Sequence, residues 1–408
     1  MGIDKADTGF VLLSSGLVML MTPGLALFYG GMVRIKNVLS TLLQNFFMLG
    51  LMSIIWAVIG YSLAFGEDLG GGLLGGLNHV FLAGVGSELK DGLTIPTNVF
   101  MIFQAMFAII TPALFTGAIA ERTKFGALML FGGLWSIVVY SPVAHWVWGP
   151  DGWLAGMHAL DFAGGTVVHI NAAAAAFALV LVIGPRIGHK EEPMPPHSLP
   201  LTLLGAGLLW FGWFGFNAGS ALAADGIAAS AFVSTHLAAA AATFSWIAAE
   251  WLRTGKPTTL GAASGCVAGL VAVTPAAGFV TPMGGLAIGL VAGLVCYGAV
   301  VIKSRTRFDD SLDVVGIHGV GGFLGALLTG VFATTVVNPN GQNGLLSGNP
   351  AQLGVQFVGA LVTLAYSFVV SFALAKLVDG LVGLRAPADD EVIGIDYTEH
   401  AERGYALY

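Results

Sequence analysis

Two histidines stand where a charge is costly. His169 lies in DFAGGTVVHINAAAAAFALVLVIG, which runs from Asp161 to Gly184, and His318 lies in DVVGIHGVGGFLG. Both stretches are apolar enough to enter a bilayer, where ionisable groups mark a pathway, a relay or a paired site. An imidazole there can donate one hydrogen bond, accept another and pass on a proton; it can also simply bond a neighbouring helix. Gly165, His169 and Ala172 or Ala173 share one helical face by i, i+3/i+4 spacing, as do His318, Gly322 and Gly325, with Gly319 beside them. Such small faces let two backbones approach until the imidazoles meet. His236 has no glycine frame and reads as an ordinary packed histidine. Asp161 sits at the start of its helix, where a carboxylate caps free N–H groups, although a direct ligand role is also open. Eight residues separate it from His169, about 12 Å along a helix, so the two do not share one small ligand.

A second group is aromatic: Phe107 in FQAMFAII, Trp148 in AHWVWGPDGW, and Phe216 in WFGFNAGSA, with Ser220 at the end of that motif. Tryptophans near a membrane boundary are usually interfacial anchors, and a serine can bond its own helix backbone. The same side chains can instead hold a cation, with an indole face attracting the charge and a hydroxyl accepting its hydrogen bond. Trp146 stands two residues from Trp148 and competes for that position.

The elements that carry these residues are membrane helices. Of 408 residues, 56% are hydrophobic and 10% charged, against about 25% charged in a soluble domain. The 59 glycines suit helices packed through small side chains. Eleven apolar spans of roughly 20 residues are predicted near 9–31, 39–65, 98–119, 125–147, 162–183, 199–220, 228–250, 258–276, 283–302, 314–335 and 352–376. Fourteen of the 16 basic residues follow odd-numbered spans; only Lys5 and Lys90 fall on the other side. The positive-inside rule therefore puts the N-terminus outside and the C-terminus in the cytoplasm. His169 lies in span 5, running inward, and His318 in span 10, running outward, which suits a 5+5 inverted repeat plus one helix. The fold class is thus an all-α polytopic membrane protein, with a transmembrane domain over 1–380 and a cytoplasmic tail over 381–408. MGIDKADTGF lacks a basic signal-peptide n-region and reads as mature sequence. Cys266 and Cys296 fall in apolar segments and support neither a disulfide framework nor a metal site. Each candidate helix supplies one central histidine and no HExxH motif occurs, which argues against a membrane metalloenzyme or haem protein. No enzyme activity, catalytic residue, cofactor, metal or nucleic-acid partner is expected.

Taken in order, TPGLALFYGG, GAIAER, DFAGGTVVHINA, WFGFNAGSA, VTPAAG and GIHGVGG resemble the ammonium transporter family, the Amt/Mep/Rh superfamily, on its Amt branch. The similarity covers essentially the whole chain. It implies a homotrimer in the cell (plasma or inner) membrane, with one pore inside each subunit. It implies a substrate site for ammonium or methylammonium at Trp148, Phe107 and Ser220, supported by Asp161. It further implies a gate of Phe107 on Phe216, and His169 with His318 as twin histidines lining the pore. The tail resembles the region that packs under the subunits and, in many bacterial members, helps a PII-type regulatory protein block the pore exits. Ile393, Ile395, Tyr397, Tyr405 and Leu407 make this tail more apolar than a solvating one, although its charges and Pro387 also allow a disordered end.

The resemblance and the residue chemistry converge on one expectation. Ammonium and potassium are similar in size, but only ammonium donates hydrogen bonds and can lose a proton. An outer aromatic site would collect the cation, and a narrow apolar lumen would make its intact passage costly. Ammonia would cross along the imidazoles, which would remain neutral apart from transient proton relay. An ammonium sensor and an electroneutral ammonia or carbon dioxide channel on the same fold are the alternatives.

Overall fold

The computed structural model describes residues 2–405. Met1 and residues 406–408, which include Leu407 of the tail, lie outside the described residues. Among the described residues the regular structure is helical, with only isolated bridges in place of strands. A helix occupies each of the eleven predicted stretches: α1 (Lys5–Met32), α2 (Ile35–Phe65), α3 (Thr97–Ile119), α4 (Phe125–Gly156), α5 (Gly165–Ile183), α6 (Leu199–Ala221), α7 (Gly226–Thr254), α8 (Thr259–Val273), α9 (Pro282–Lys303), α10 (Val315–Phe332) and α11 (Ala351–Val382). Ten of them are long and apolar enough to cross a membrane. The exception is α8, whose 15 residues reach about 22 Å and fall short of a ~30 Å hydrocarbon core. The expected span to residue 276 is cut short at Val273, and the chain continues through turns around Pro275. At the other extreme, α11 runs six residues beyond its predicted end at 376 and two beyond the 380 boundary.

Small residues bring these helices together. A Cβ on Gly205 would lie 2.3 Å from the backbone N of Phe28, so α1 and α6 touch backbone to backbone. Likewise, a Cβ on Gly289 would lie 2.2 Å from the carbonyl oxygen of Ala238, which locks α9 onto α7. α3 and α5 are the most enclosed spans, so they form the centre of the bundle. Their polar side chains are therefore candidates for a lumen.

At the basic end of the bundle, charges are paired across loops. Arg34 and Arg186 both meet Glu121, at 2.6 and 3.4 Å, and Arg186 also meets Asp309 at 2.8 Å. Burial alone would raise the Asp309 carboxyl, but the Arg186 hydrogen bonds and the Arg122 charge hold it well below the usual carboxylate range. The tail is ordered against this end as two short helices, α12 (Ala388–Ile393) and α13 (Ile395–His400). Asp396 accepts from the backbone N–H groups of Leu39 and Ser40 at 2.9 and 2.7 Å, capping the first α-helical turn of α2. Glu391 accepts from Arg385 at 2.8 Å and from the Ile187 N–H at 2.6 Å. Of the tail's apolar residues Ile395 is buried, whereas Ile393, Tyr397 and Tyr405 are exposed.

Candidate functional site

α5 and α10 both begin with a wide π-helical turn, GTVVHI over Gly165–Ile170 and VGIHG over Val315–Gly319. Each histidine sits inside its turn. Asp161 fastens the first one: its carboxylate accepts from the backbone N–H groups of Gly164, Gly165, Thr166 and Val167 and from the Thr166 hydroxyl. Burial pushes this carboxyl up, and the bonds from Thr166 and its neighbours oppose the rise. Asp310 does the same for α10, accepting from the N–H groups of Val314 and Val315 at 3.0 and 2.8 Å. Burial pushes its carboxyl up to about 6, with the nearby Lys303 charge pulling the other way. Asp310 precedes His318 by eight residues, as Asp161 precedes His169. The aspartate nearest His318 in sequence, Asp313, instead pairs with Lys303.

Gly322 makes the meeting of the two turns possible. A Cβ there would stand 3.0 Å from the His169 Cβ and 3.2 Å from the Gly165 carbonyl oxygen. Gly325 faces elsewhere, with its missing Cβ directed at the backbone of Ala272 in α8, so Gly322 and Gly325 do not act on one partner. The imidazoles lie with Nδ1 atoms 3.2 Å apart and ring planes inclined by 29°. One Nδ1 must donate and the other accept, so one of the pair's two N–H protons lies in the bond between the rings. Both rings are buried, and the Nε2 atom of His169 has no hydrogen-bond partner. A cavity of about 10 Å³ lies beside the pair, lined by both rings and by apolar side chains including Leu114, Trp213 and Phe216. That is room for about one water-sized molecule.

Phe216 connects this cavity to an outer one. Its ring packs 4.4 Å from that of Phe107, and both are buried. Phe107 in turn meets Trp148 edge-on at 5.7 Å. The second cavity, about 160 Å³, is lined by Phe107, Trp148, Ser220, Phe100, Gln104, Phe162 and Leu222. Trp148 donates its indole N–H to the Asp161 carbonyl at 2.9 Å, which fixes the ring plane. Trp146 points away: it donates to the Leu73 carbonyl and packs on Trp153 and Tyr366. The Ser220 hydroxyl donates to the Phe216 carbonyl of its own helix at 2.8 Å, leaving oxygen lone pairs to face the cavity.

The structure thus brings Trp148, Phe107 and Ser220 to one cavity and His169, His318 and Phe216 to the next. Asp161 touches this system through its backbone and through the helix start it holds. His236 is not part of it, and packs on Trp210 and Phe214. Two residues absent from the sequence reading enter: Asp310, which repeats the eight-residue offset, and Gln104, whose buried Oε1 lacks a hydrogen-bond partner. Among the described residues no group of three or more His, Cys, Asp or Glu side chains is placed to hold a metal ion.

Comparison with known proteins places this geometry in context. The profile of the Ammonium Transporter Family matches residues 9–405. An ammonium transporter of Bacillus subtilis is 49% identical over 405 residues, covering 99% of both chains. Ammonium transporter Amt1 of Archaeoglobus fulgidus is 48% identical, covering 99% of this chain and all of its own. Among solved structures, Mep2 of Saccharomyces cerevisiae superposes with a TM-score of 0.90 at 37% identity, over 95% of this chain and 89% of its own. A structure described as a sensor Amt protein superposes at 0.89 with 29% identity, over 97% and 98% of the two chains. With a profile match over almost its whole length and relatives near half identity, the chain is a multi-pass membrane protein of the ammonium transporter family.

Proposed function

We propose that the chain recruits ammonium at Trp148, Phe107 and Ser220, strips a proton from it, and conducts ammonia past Phe107 and Phe216 along His169 and His318. One observation carries the reading: two hydrogen-bonded imidazoles border a cavity of one-molecule size with otherwise mostly apolar walls, beyond two phenylalanines packed at 4.4 Å. In the outer cavity the Trp148 face attracts a cation, a contact worth about 0.5–2 kcal/mol. Ser220 and Gln104 offer oxygens that a donor-rich ion satisfies and potassium cannot exploit in the same way. Asp161 acts by positioning, since its carboxylate is occupied by α5 and its carbonyl holds the indole.

Beyond the phenylalanines there is too little room and too little polarity for a hydrated ion. A bare cation entering such a space forfeits its hydration. Neutral ammonia forfeits far less and regains hydrogen bonds from the imidazoles. The proton left behind travels separately, and two imidazoles joined by an N–H···N bond are suited to relay it by exchanging tautomers. The unpartnered Nε2 of His169 is the atom such a guest or proton meets.

The same reading carries the charge pattern into topology. The eleven helices all cross, the N-terminus is outside, and residues 1–380 form the transporter with 381–408 as a regulatory tail. The chains assemble as homotrimers in the cell membrane, with the exposed Ile393, Tyr397 and Tyr405 available to a neighbouring subunit and a PII-type protein on the cytoplasmic face. A reporter fused after Tyr408 should be cytoplasmic, and a periplasmic signal would overturn the orientation. Deleting 386–408 should lower transport without abolishing insertion, because Asp396 and Glu391 no longer hold α2 and the loop at Ile187. Normal transport by the truncated protein would remove the tail from the account. A sensor that does not transport would give no flux on reconstitution, and an electroneutral gas channel would give flux without current.

A further inference from the structure

Residues 157–164 join α4 to α5 and carry Asp161, and no helix of their own satisfies their backbone. Leu160 and Asp161 are buried, so their N–H and carbonyl groups must find partners elsewhere. α11 supplies those of Leu160. Gln356 donates its Nε2 to the Leu160 carbonyl at 2.7 Å, and its Oε1 accepts from the Leu160 N–H at 2.6 Å. One side-chain amide thus closes both backbone groups of a single residue. Its Nε2 also donates to the Ala326 carbonyl of α10 at 3.1 Å, and its Oε1 also accepts from Gln352 at 3.3 Å. A glutamine amide has two donors and two lone pairs, and here all four are used. Gln352 donates as well to the His158 carbonyl at 2.9 Å, and both glutamines are buried. Gly330 lets α11 come this close: a Cβ there would stand 2.9 Å from the Leu353 Cα and 3.0 Å from the Gln356 Cγ.

The residue next to Leu160 bears on the cation cavity. The Asp161 carbonyl takes the Trp148 indole N–H at 2.9 Å, and its carboxylate holds the turn of α5. On its other side, the Phe162 N–H donates to the Pro275 carbonyl at 3.1 Å. Asp161 therefore stands between two anchored neighbours, one held by the turn after α8 and one by a 32-residue helix. Gln356 itself does not line the cavity of Phe107, Trp148 and Ser220.

We infer that Gln356 is a positioning residue for Trp148: by clamping Leu160 to α11 and α10 it sets where the Asp161 carbonyl stands, and so where the indole face lies. The amide acts at two removes, through Leu160 and Asp161, and touches no ligand. Its effect on transport rests on the proposed recruitment of ammonium at Trp148; its hold on the indole does not.

The test uses the full-length protein labelled with 5-fluorotryptophan, with the Trp148 fluorine signal identified by its loss in Trp148→Leu, together with ammonium flux after reconstitution. Gln356→Met keeps the length of the side chain and removes the amide. Gln356→Glu keeps an acceptor for the Leu160 N–H, and is read in its place if the methionine variant does not fold. Either should shift or broaden the Trp148 signal and leave that of Trp135, which α11 holds separately through Ser371 at 2.9 Å. The half-saturating ammonium concentration should rise about two- to fivefold with the maximal rate kept, a part of the roughly 2- to 30-fold that losing the ring is worth. In the Trp148→Leu background the same substitution should add nothing further to it. A Trp148 signal that stays in place, or one that moves together with that of Trp135, would overturn the assignment. So would a rise in half-saturation that persists in full without the indole. If Trp148→Leu alone leaves half-saturation unchanged, recruitment at the indole fails, and the fluorine signal by itself decides the role of Gln356.

Discussion

Asp161 and Asp310 each stand eight residues before a histidine and each fastens the π-helical turn that carries it, yet the two starts are built differently. At α5, four backbone N–H groups and the Thr166 hydroxyl converge on one carboxylate. At α10 only two N–H groups do, with Lys303 close enough to add its charge. The α5 start also holds Trp148 through the Asp161 carbonyl. The start of α5 is therefore stiffened beside the cavity proposed to bind the cation. The other is held more lightly beside the charged network and the docked tail. The tighter start keeps the Trp148 indole aligned through the Asp161 carbonyl.

Substitutions can break this comparison, and the largest effect falls at α5. Asp161→Ala strands several buried N–H donors, each costing about 1–3 kcal/mol when left unsatisfied, so folded yield in detergent should collapse. Asp310→Ala strands two and should leave a protein that assembles with a lower melting temperature. Equal losses from the two variants would show that the starts are equivalent.

The next effect is the pH dependence that Asp310 adds at α10. Asp310 is held at about 6 in the folded protein, against about 3.9 for a free carboxyl. The folded state thus favours the protonated form. The stability this contributes is complete below about pH 4 and is lost as pH rises towards 6, an excursion on the order of 3 kcal/mol. Melting curves of Asp310→Asn should lack this slope between pH 4 and 6. A slope that persists would belong to another group.

A graded effect follows at the cation cavity. Trp148→Leu removes the π face without emptying the site, so the half-saturating ammonium concentration should rise about 2- to 30-fold. Gln104→Leu removes the side-chain amide, with its carbonyl acceptor, and should raise it by about fivefold, as expected from one hydrogen bond to that oxygen. If Gln104→Leu exceeded Trp148→Leu, hydrogen bonding and not the aromatic face would dominate recruitment.

Much of this molecule was legible beforehand, because membrane helices are written in hydropathy and charge. The eleven helical stretches, the pairing of His169 with His318 and the grouping of Phe107, Trp148 and Ser220 all stand where the motifs point. The π-helical turns did not show, since a 3.6-residue period assumes the α geometry they depart from. That assumption put Gly322 and Gly325 on one partner, whereas they face α5 and α8. Asp310 is legible only through the repeated offset of eight residues before each histidine. The short α8 was hidden because the apolar run continues through Pro275 after the helix has ended. Gln104 gave no signal, being one amide among apolar neighbours in sequence whose site is completed by Trp148 of α4 and Ser220 of α6.

On the proposed function, the His169–His318 pair separates ammonium from other cations by passing ammonia and its proton apart. This separation is tested most directly by current from the purified protein reconstituted in liposomes, pulsed with ammonium or potassium, alongside His169→Ala and His318→Ala. The wild type should carry an ammonium current and no potassium current, with the ammonium current lost in both folded variants. Alanine variants that carry the wild-type current with unchanged selectivity would contradict it and leave the histidines as packing groups.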